Sequence, residues 1–201
     1  PKFLVQDQKI RKHIMKEWAF AAIPRVEIER AGELVTVFIH TARPGVLIGK
    51  KGAQVDKFRK QLEKITLSPV RLKILEIHRP ELESHLVAEQ VSEMLAKRMN
   101  YRRVLKKAAD QALAAGAQGV KIMVSGRLNG AEMARVGKIS KGRVPCTTLR
   151  AKLDYAQIHA GTKAGTIGVK VWIFSGEYGP GETTRGLLPV KGKERLATAA
   201  V

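Results

Sequence analysis

The chain has 201 residues and carries 37 Lys and Arg against 18 Asp and Glu, a formal charge of +19. Such a field attracts polyanions, and nucleic acid is the leading partner. The single cysteine, Cys146, excludes an intrachain disulfide and any multi-cysteine zinc site. That cysteine usage fits a reducing compartment, with cytoplasm the default; no run approaches the roughly 18 apolar residues of a membrane-spanning helix, and the first residues lack a signal-peptide pattern.

The length allows one large or two modest domains, and an aromatic content of 5% leaves aliphatic side chains to fill their cores. Pro1 already enters what reads as a helix, so further residues are expected upstream. From Leu4 to Phe20, the residues Ile10, Ile14 and Trp18 recur at helical spacing with Lys9, Arg11, Lys12 and Lys16 around them, a basic amphipathic helix. Pro24 forces the chain extended; Arg25 to Glu29 and Leu34 to Ile39, with Gly32 between them, read as a hairpin.

A glycine loop follows. Gly49-Lys50-Lys51-Gly52 comes after the apolar run Val46-Leu47-Ile48 and before a helix at Ala53 to Ile65, whose Val55, Phe58, Leu62 and Ile65 share one face. Two glycines let a backbone approach another polymer, and the N–H groups of the following helix face an anion. The spacing alone is weak, since chance produces roughly 1.6 such pairs at this composition. Among four in the chain, only this pair encloses cations; the bland reading is a solvated helix–helix turn. A nucleotide P-loop would need four residues between the glycines and then Lys-Ser or Lys-Thr, whereas Gly45 and Gly49 enclose three and Lys50-Lys51 follows.

Val70 to Ile77 reads as a third strand, giving the order α-β-β-α-α-β. Helices are expected at about Glu81 to Met99 and at Tyr101 to Ala115, with Asn100 as a break or cap and Gly116 as a stop. Strands follow at Gly119 to Val124, Leu149 to Ile158 and Gly168 to Phe174, joined by Gly-rich and basic turns, so the second half reads as α+β with a helix pair on a sheet. From Gly176 the composition has no period and reads as a loose tail.

Lys97, Arg98, Arg102, Arg103, Lys106 and Lys107 form a run with no acid between Glu93 and Asp110. Arg102 and Lys106, like Arg103 and Lys107, sit one turn apart, and this repulsion costs a few tenths of a kcal/mol per pair, about 0.2–0.5. An external polyanion would offset it, although a charge run is usually a solvated face. Arg127, Arg135, Lys138, Lys141, Arg143 and Arg150 are expected in turns and strand ends, where they would hold phosphate without reading sequence. The five histidines show no ligand spacing, and nothing near Cys146 in sequence suggests a nucleophile. Glu27 and Glu29 share a strand face and could hold Mg²⁺ for a nuclease, but alternate charges on an exposed strand are commonplace.

The helix–strand order with Ile48-Gly49-Lys50-Lys51-Gly52 between its middle helices resembles a type II KH domain, in which about four nucleotides of single-stranded RNA are clamped across the loop. The wider text is more specific. His40-Thr41-Ala42-Arg43-Pro44-Gly45, Val124-Ser125-Gly126-Arg127-Leu128, Gly130-Ala131-Glu132, Gly142-Arg143-Val144-Pro145, Thr148-Leu149-Arg150-Ala151 and Gly168-Val169-Lys170-Val171-Trp172-Ile173-Phe174 resemble the small-subunit ribosomal protein S-three family over roughly residues 4 to 177.

The resemblance implies a KH domain at 1–80, a C-terminal α+β domain at 81–177 on a mixed or antiparallel sheet, and a tail at 178–201. It implies a structural constituent of the small-subunit head near the mRNA entrance, with rRNA, mRNA and the ribosomal proteins S-two, S-four, S-five, S-ten and S-fourteen as neighbours. Arg102, Arg103 and Lys106 would face incoming mRNA and help open its duplexes; without an ATP motif, the work would come from translocation. The expected RNA contacts are Arg43, Gly49, Lys50, Lys51, Gly52, Lys57, Arg102, Arg103, Lys106, Lys107, Arg127, Arg135, Arg143 and Arg150, with no cofactor and no catalysis. Two departures stand out: the family's Gly-Gln-Lys-Val N-terminal segment is absent, and Val136-Gly137-Lys138-Ile139-Ser140 replaces a stretch that is often aromatic and acidic. The rival readings are a free RNA chaperone or translational regulator using the same loop, and the nuclease.

Overall fold

Helix α1 (Lys2–Glu17) forms because Ile10 and Ile14 stack on one face, both fully buried, and Trp18 continues that stripe past the helix end. The computed structural model describes residues 2–32, 34–49, 53–66 and 68–178. The expected helix to Phe20 is shorter: after Glu17 the chain tightens into a 3₁₀ turn, Ala19–Ala21, and leaves it through Ala22 at φ 52°. That reversal carries the chain into strand β1 (Arg25–Ala31), which pairs antiparallel with β2 (Leu34–Thr41) in the register Val26 to Ile39 and Ile28 to Val37.

A short helix α2 (Pro44–Ile48) and helix α3 (Ala53–Thr66) then return the chain to β3 (Val70–Glu76), which lies parallel to β2. The first sheet has the order β1-β2-β3. Val26, Val35, Val37 and Ile39 from the strands meet Ile10, Ile14, Leu47, Phe58 and Leu62 from the helices in one core. Trp18 and Phe58 pack with ring centroids 3.8 Å apart, so two of the few aromatics tie α1 to α3.

The second core is aliphatic, as the composition requires. Helices α4 (Ser84–Ala96) and α5 (Tyr101–Ala114) cover one face of an antiparallel sheet built from β4 (Gly119–Gly126), β5 (Arg135–Gly142), β6 (Ala151–Thr162) and β7 (Gly165–Glu177), in the order β5-β4-β7-β6. Val120, Ile122 and Val124 of β4 and Val169, Val171 and Ile173 of β7 face the helices and are fully buried. Between the two cores, a 3₁₀ turn at Pro80–Leu82 precedes α4, whose first N–H, from Ser84, is capped by the Asp154 carboxylate at 2.8 Å.

Three expectations are corrected. The helix placed at Glu81 to Met99 spans only Ser84–Ala96, because the 3₁₀ turn occupies its start and Arg98 at φ 60° ends it. Lys138 lies in the middle of the edge strand β5, while Arg135 and Lys141 fall at its two ends. The loose stretch read from Gly176 starts later, since Gly176 and Glu177 belong to β7 and the Tyr178 N–H donates to the Arg150 carbonyl at 2.9 Å; residues 179–201 lie outside the described residues.

Candidate nucleic-acid interface

The glycine loop is anchored from behind by Thr41. Its buried hydroxyl donates to the Ala21 carbonyl at 2.6 Å and accepts the Arg43 N–H at 3.0 Å, joining the end of β2 to the turn after α1. Arg43 itself is exposed just before α2. Helix α2 ends at Gly49, whose φ of 63° and ψ of −170° belong to a region essentially limited to glycine. The N–H of Gly49 returns to the Gly45 carbonyl at 3.1 Å, so the chain turns sharply before α3 begins at Ala53. Lys50, Lys51 and Gly52 lie outside the described residues. Lys57, one turn into α3, is exposed, while Phe58 next to it is buried.

Helix α5 presents the second surface. Val104, Leu105, Ala108, Ala109 and Ala112 are buried against the sheet, which leaves Arg102, Arg103, Lys106 and Lys107 on the exposed face. None of the four has a salt-bridge partner among the described residues. Arg102 and Arg103 also sit in the first turn, where the helix dipole opposes positive charge. Lys97 differs: Glu93, one turn before it, lies 3.8 Å away. The Asn100 side chain accepts the Arg102 N–H at 3.1 Å, which confirms it as the helix cap. The Arg102 guanidinium donates to the Tyr101 hydroxyl at 3.1 Å, a restraint no sequence signal announced.

Arg102 and Arg135 line one cleft of about 490 Å³ together with Tyr101 and Asn129. The other cations of the second half diverge. Arg127 is held by the carbonyls of Ala131 and Ala164, both at 3.0 Å, and clamps the turn after β4 to the β6–β7 hairpin. Lys141 pairs with Asp110 of α5, and Arg143 lies 3.8 Å from Glu177 with most of its side chain in solvent. Lys138 and Arg150 are exposed. Glu27, one of the two carboxylates a nuclease would need, lies between Arg25 at 3.8 Å and His40 at 3.5 Å. No group of three or more His, Cys, Asp or Glu among the described residues is placed to hold a metal.

Two family models match in chain order. The KH domain matches residues 9–82, and "Ribosomal protein S3, C-terminal domain" matches residues 91–173. Relatives named "Small ribosomal subunit protein uS3" include one from Rhizorhabdus wittichii, 51% identical over 88% of this chain and 76% of its own length. The uS3 protein of Idiomarina loihiensis is 48% identical over 96% of this chain and 85% of its own. That of Streptococcus pneumoniae is 49% identical over 92% and 85%. With the three-stranded sheet and its glycine loop falling in one matched segment and the four-stranded sheet in the other, the chain belongs to the uS3 family of small ribosomal subunit proteins, RNA-binding structural components of the ribosome and not enzymes.

Proposed function

We propose that this chain holds rRNA in the head of the small subunit and contacts mRNA at the entrance, with residues 1–80 and 81–177 as its two domains and the cytoplasmic ribosome as its site. The observation that carries the reading is α5: four exposed cations with no carboxylate partner among the described residues, two of them against the helix dipole. An isolated protein gains nothing from such a face, whereas a polyanion lying along it removes the repulsion. Arg102, Arg103, Lys106 and Lys107 meet the phosphates of incoming mRNA, and translocation drives paired RNA against them. The loop from Gly49 to Gly52, flanked by Arg43 and Lys57, grips the backbone of a single strand; Arg135, Arg143 and Arg150 add phosphate contacts, and Arg127 does so with the part of its guanidinium left free. Ribosomal proteins S-two, S-four, S-five, S-ten and S-fourteen are its neighbours.

The test is charge reversal of Arg102, Arg103 and Lys106 to Glu. Small subunits carrying this variant should assemble and read unstructured mRNA at the ordinary rate, but slow at a stable hairpin. Equal passage through the hairpin would remove α5 from the mRNA path. A free RNA chaperone would bind the same RNAs without ever joining the subunit, so incorporation itself separates the two readings.

A further inference from the structure

Helices α4 and α5 end in the same backbone arrangement but with different residues at its critical position. At the end of α5, the Ala117 N–H reaches back to Ala112 and the Gly116 N–H to Leu113, with Gly116 at φ 106°. At the end of α4, the Met99 N–H reaches back to Met94 and the Arg98 N–H to Leu95, but the left-handed residue is Arg98 at φ 60°. Glycine is the cheap occupant of that position. Among the described residues two others that are not glycine are left-handed, Ala22 and Asn129, and the latter, at φ 56°, lies near Arg98.

Both border one cavity of about 390 Å³. Its buried apolar lining comes from Leu95 and Ile167, and its exposed lining from Met99, Arg98 and, from the β6–β7 hairpin, Lys163. Arg127 closes one side, fixed by its two carbonyl bonds. No carboxylate among the described residues lines the cavity. Asn visits the left-handed region readily, so Arg98 is the strained residue of the two, and such residues gather at ligand sites; an apolar floor under a cationic rim suits a flat ring with an anionic substituent.

We infer that this cavity takes one nucleotide of single-stranded RNA, its base against Leu95, Met99 and Ile167 and its phosphates between Arg98 and Lys163. The inference rests on the reading of α5 as an RNA surface: the cavity shares Asn100, Asn129 and Gly130 with the cleft that Arg102 lines, so a strand on α5 continues into it. The Asn129 side-chain oxygen accepts the Tyr101 N–H at 3.5 Å, which leaves its amide NH₂ to donate to a base edge.

The experiment uses the full chain and a short oligouridylate carrying photoreactive thiouridine, with cross-linked residues identified by mass spectrometry. Wild type should cross-link at Met99, Asn129 or Lys163 as well as on α5. Arg98→Gly with Lys163→Ala should lose the cavity cross-links, keep those on α5, and lower the log–log salt slope of binding by about 1.4, the equivalent of two phosphates. Because glycine suits φ 60°, this variant should melt no lower than wild type, which separates weakened RNA binding from a damaged fold. Cross-links confined to α5, or an unchanged slope, would overturn the cavity and leave the α5 surface standing; absence of cross-links on both would overturn both.

Discussion

Single residues set the geometry of the glycine loop. Thr41 satisfies two backbone groups at once, so Thr41→Val would leave the Ala21 carbonyl and the Arg43 N–H unpaired in or near the core. The expected loss is about 1–3 kcal/mol, read by urea denaturation. Gly49→Ala is costly for a different reason. A Cβ there would lie 2.8 Å from the flexible Gln54 side chain, which can move, but the backbone conformation cannot be relieved. A loss of roughly 1–3 kcal/mol is expected, with weaker RNA binding at the loop. Lys50→Asp with Lys51→Asp should lower the salt slope of single-stranded RNA binding by about 0.7 for each phosphate no longer neutralised. An unchanged slope would remove the loop from the interface. The role of Thr41 is illegible in the sequence because its partners lie in the turn before β1 and on the approach to α2, which only the fold brings together.

Elements are legible where burial imposes a period. The apolar stripes of α1, α3, α4 and α5 and the alternation in β2 and β4 are each dictated by one wet and one dry face. Strand β5 escapes a reading of the sequence because its core-facing positions are Gly137, Ile139 and Lys141, which carry no apolar pattern. Gly137 is small because the Tyr101 ring already fills that space, a Cβ falling 2.9 Å from it, and Lys141 is turned toward Asp110. The cationic face of α5 is legible because it depends only on helical spacing. Its meeting with Arg135 is not, since that requires β5. As an edge strand, β5 should exchange its amide hydrogens faster than β4, which is paired on both sides; equal protection of the two would contradict the observed strand order.

At the scale of the whole molecule, the two cores meet around Glu83. Burial pushes its carboxyl above the usual range, the negative Asp154 adds to this, and Arg25, His40 and His85 act against it. Arg25 and His40 belong to the first sheet and Asp154 to the second, so this carboxyl senses how the two halves sit. Between its unfolded and raised folded values, the folded chain binds more protons than the unfolded one, so stability falls as pH rises through that window. Glu83→Gln should abolish that fall and be at least as stable as wild type above it, measured by denaturation across pH; a variant that retains the fall would assign it elsewhere. The family and its two-part layout are readable because the matching words run through both halves, whereas the junction is not, because Glu83 and Asp154 lie 71 positions apart in sequence and meet only through β6.

The central claim is that this charge and these two lobes serve assembly into the small subunit. Sedimentation of a cell lysate, with magnesium present and then chelated, tests it most directly when gradient fractions are quantified by mass spectrometry. Stoichiometric migration with the small subunit under both conditions is the predicted result; a peak at the top of the gradient would contradict it.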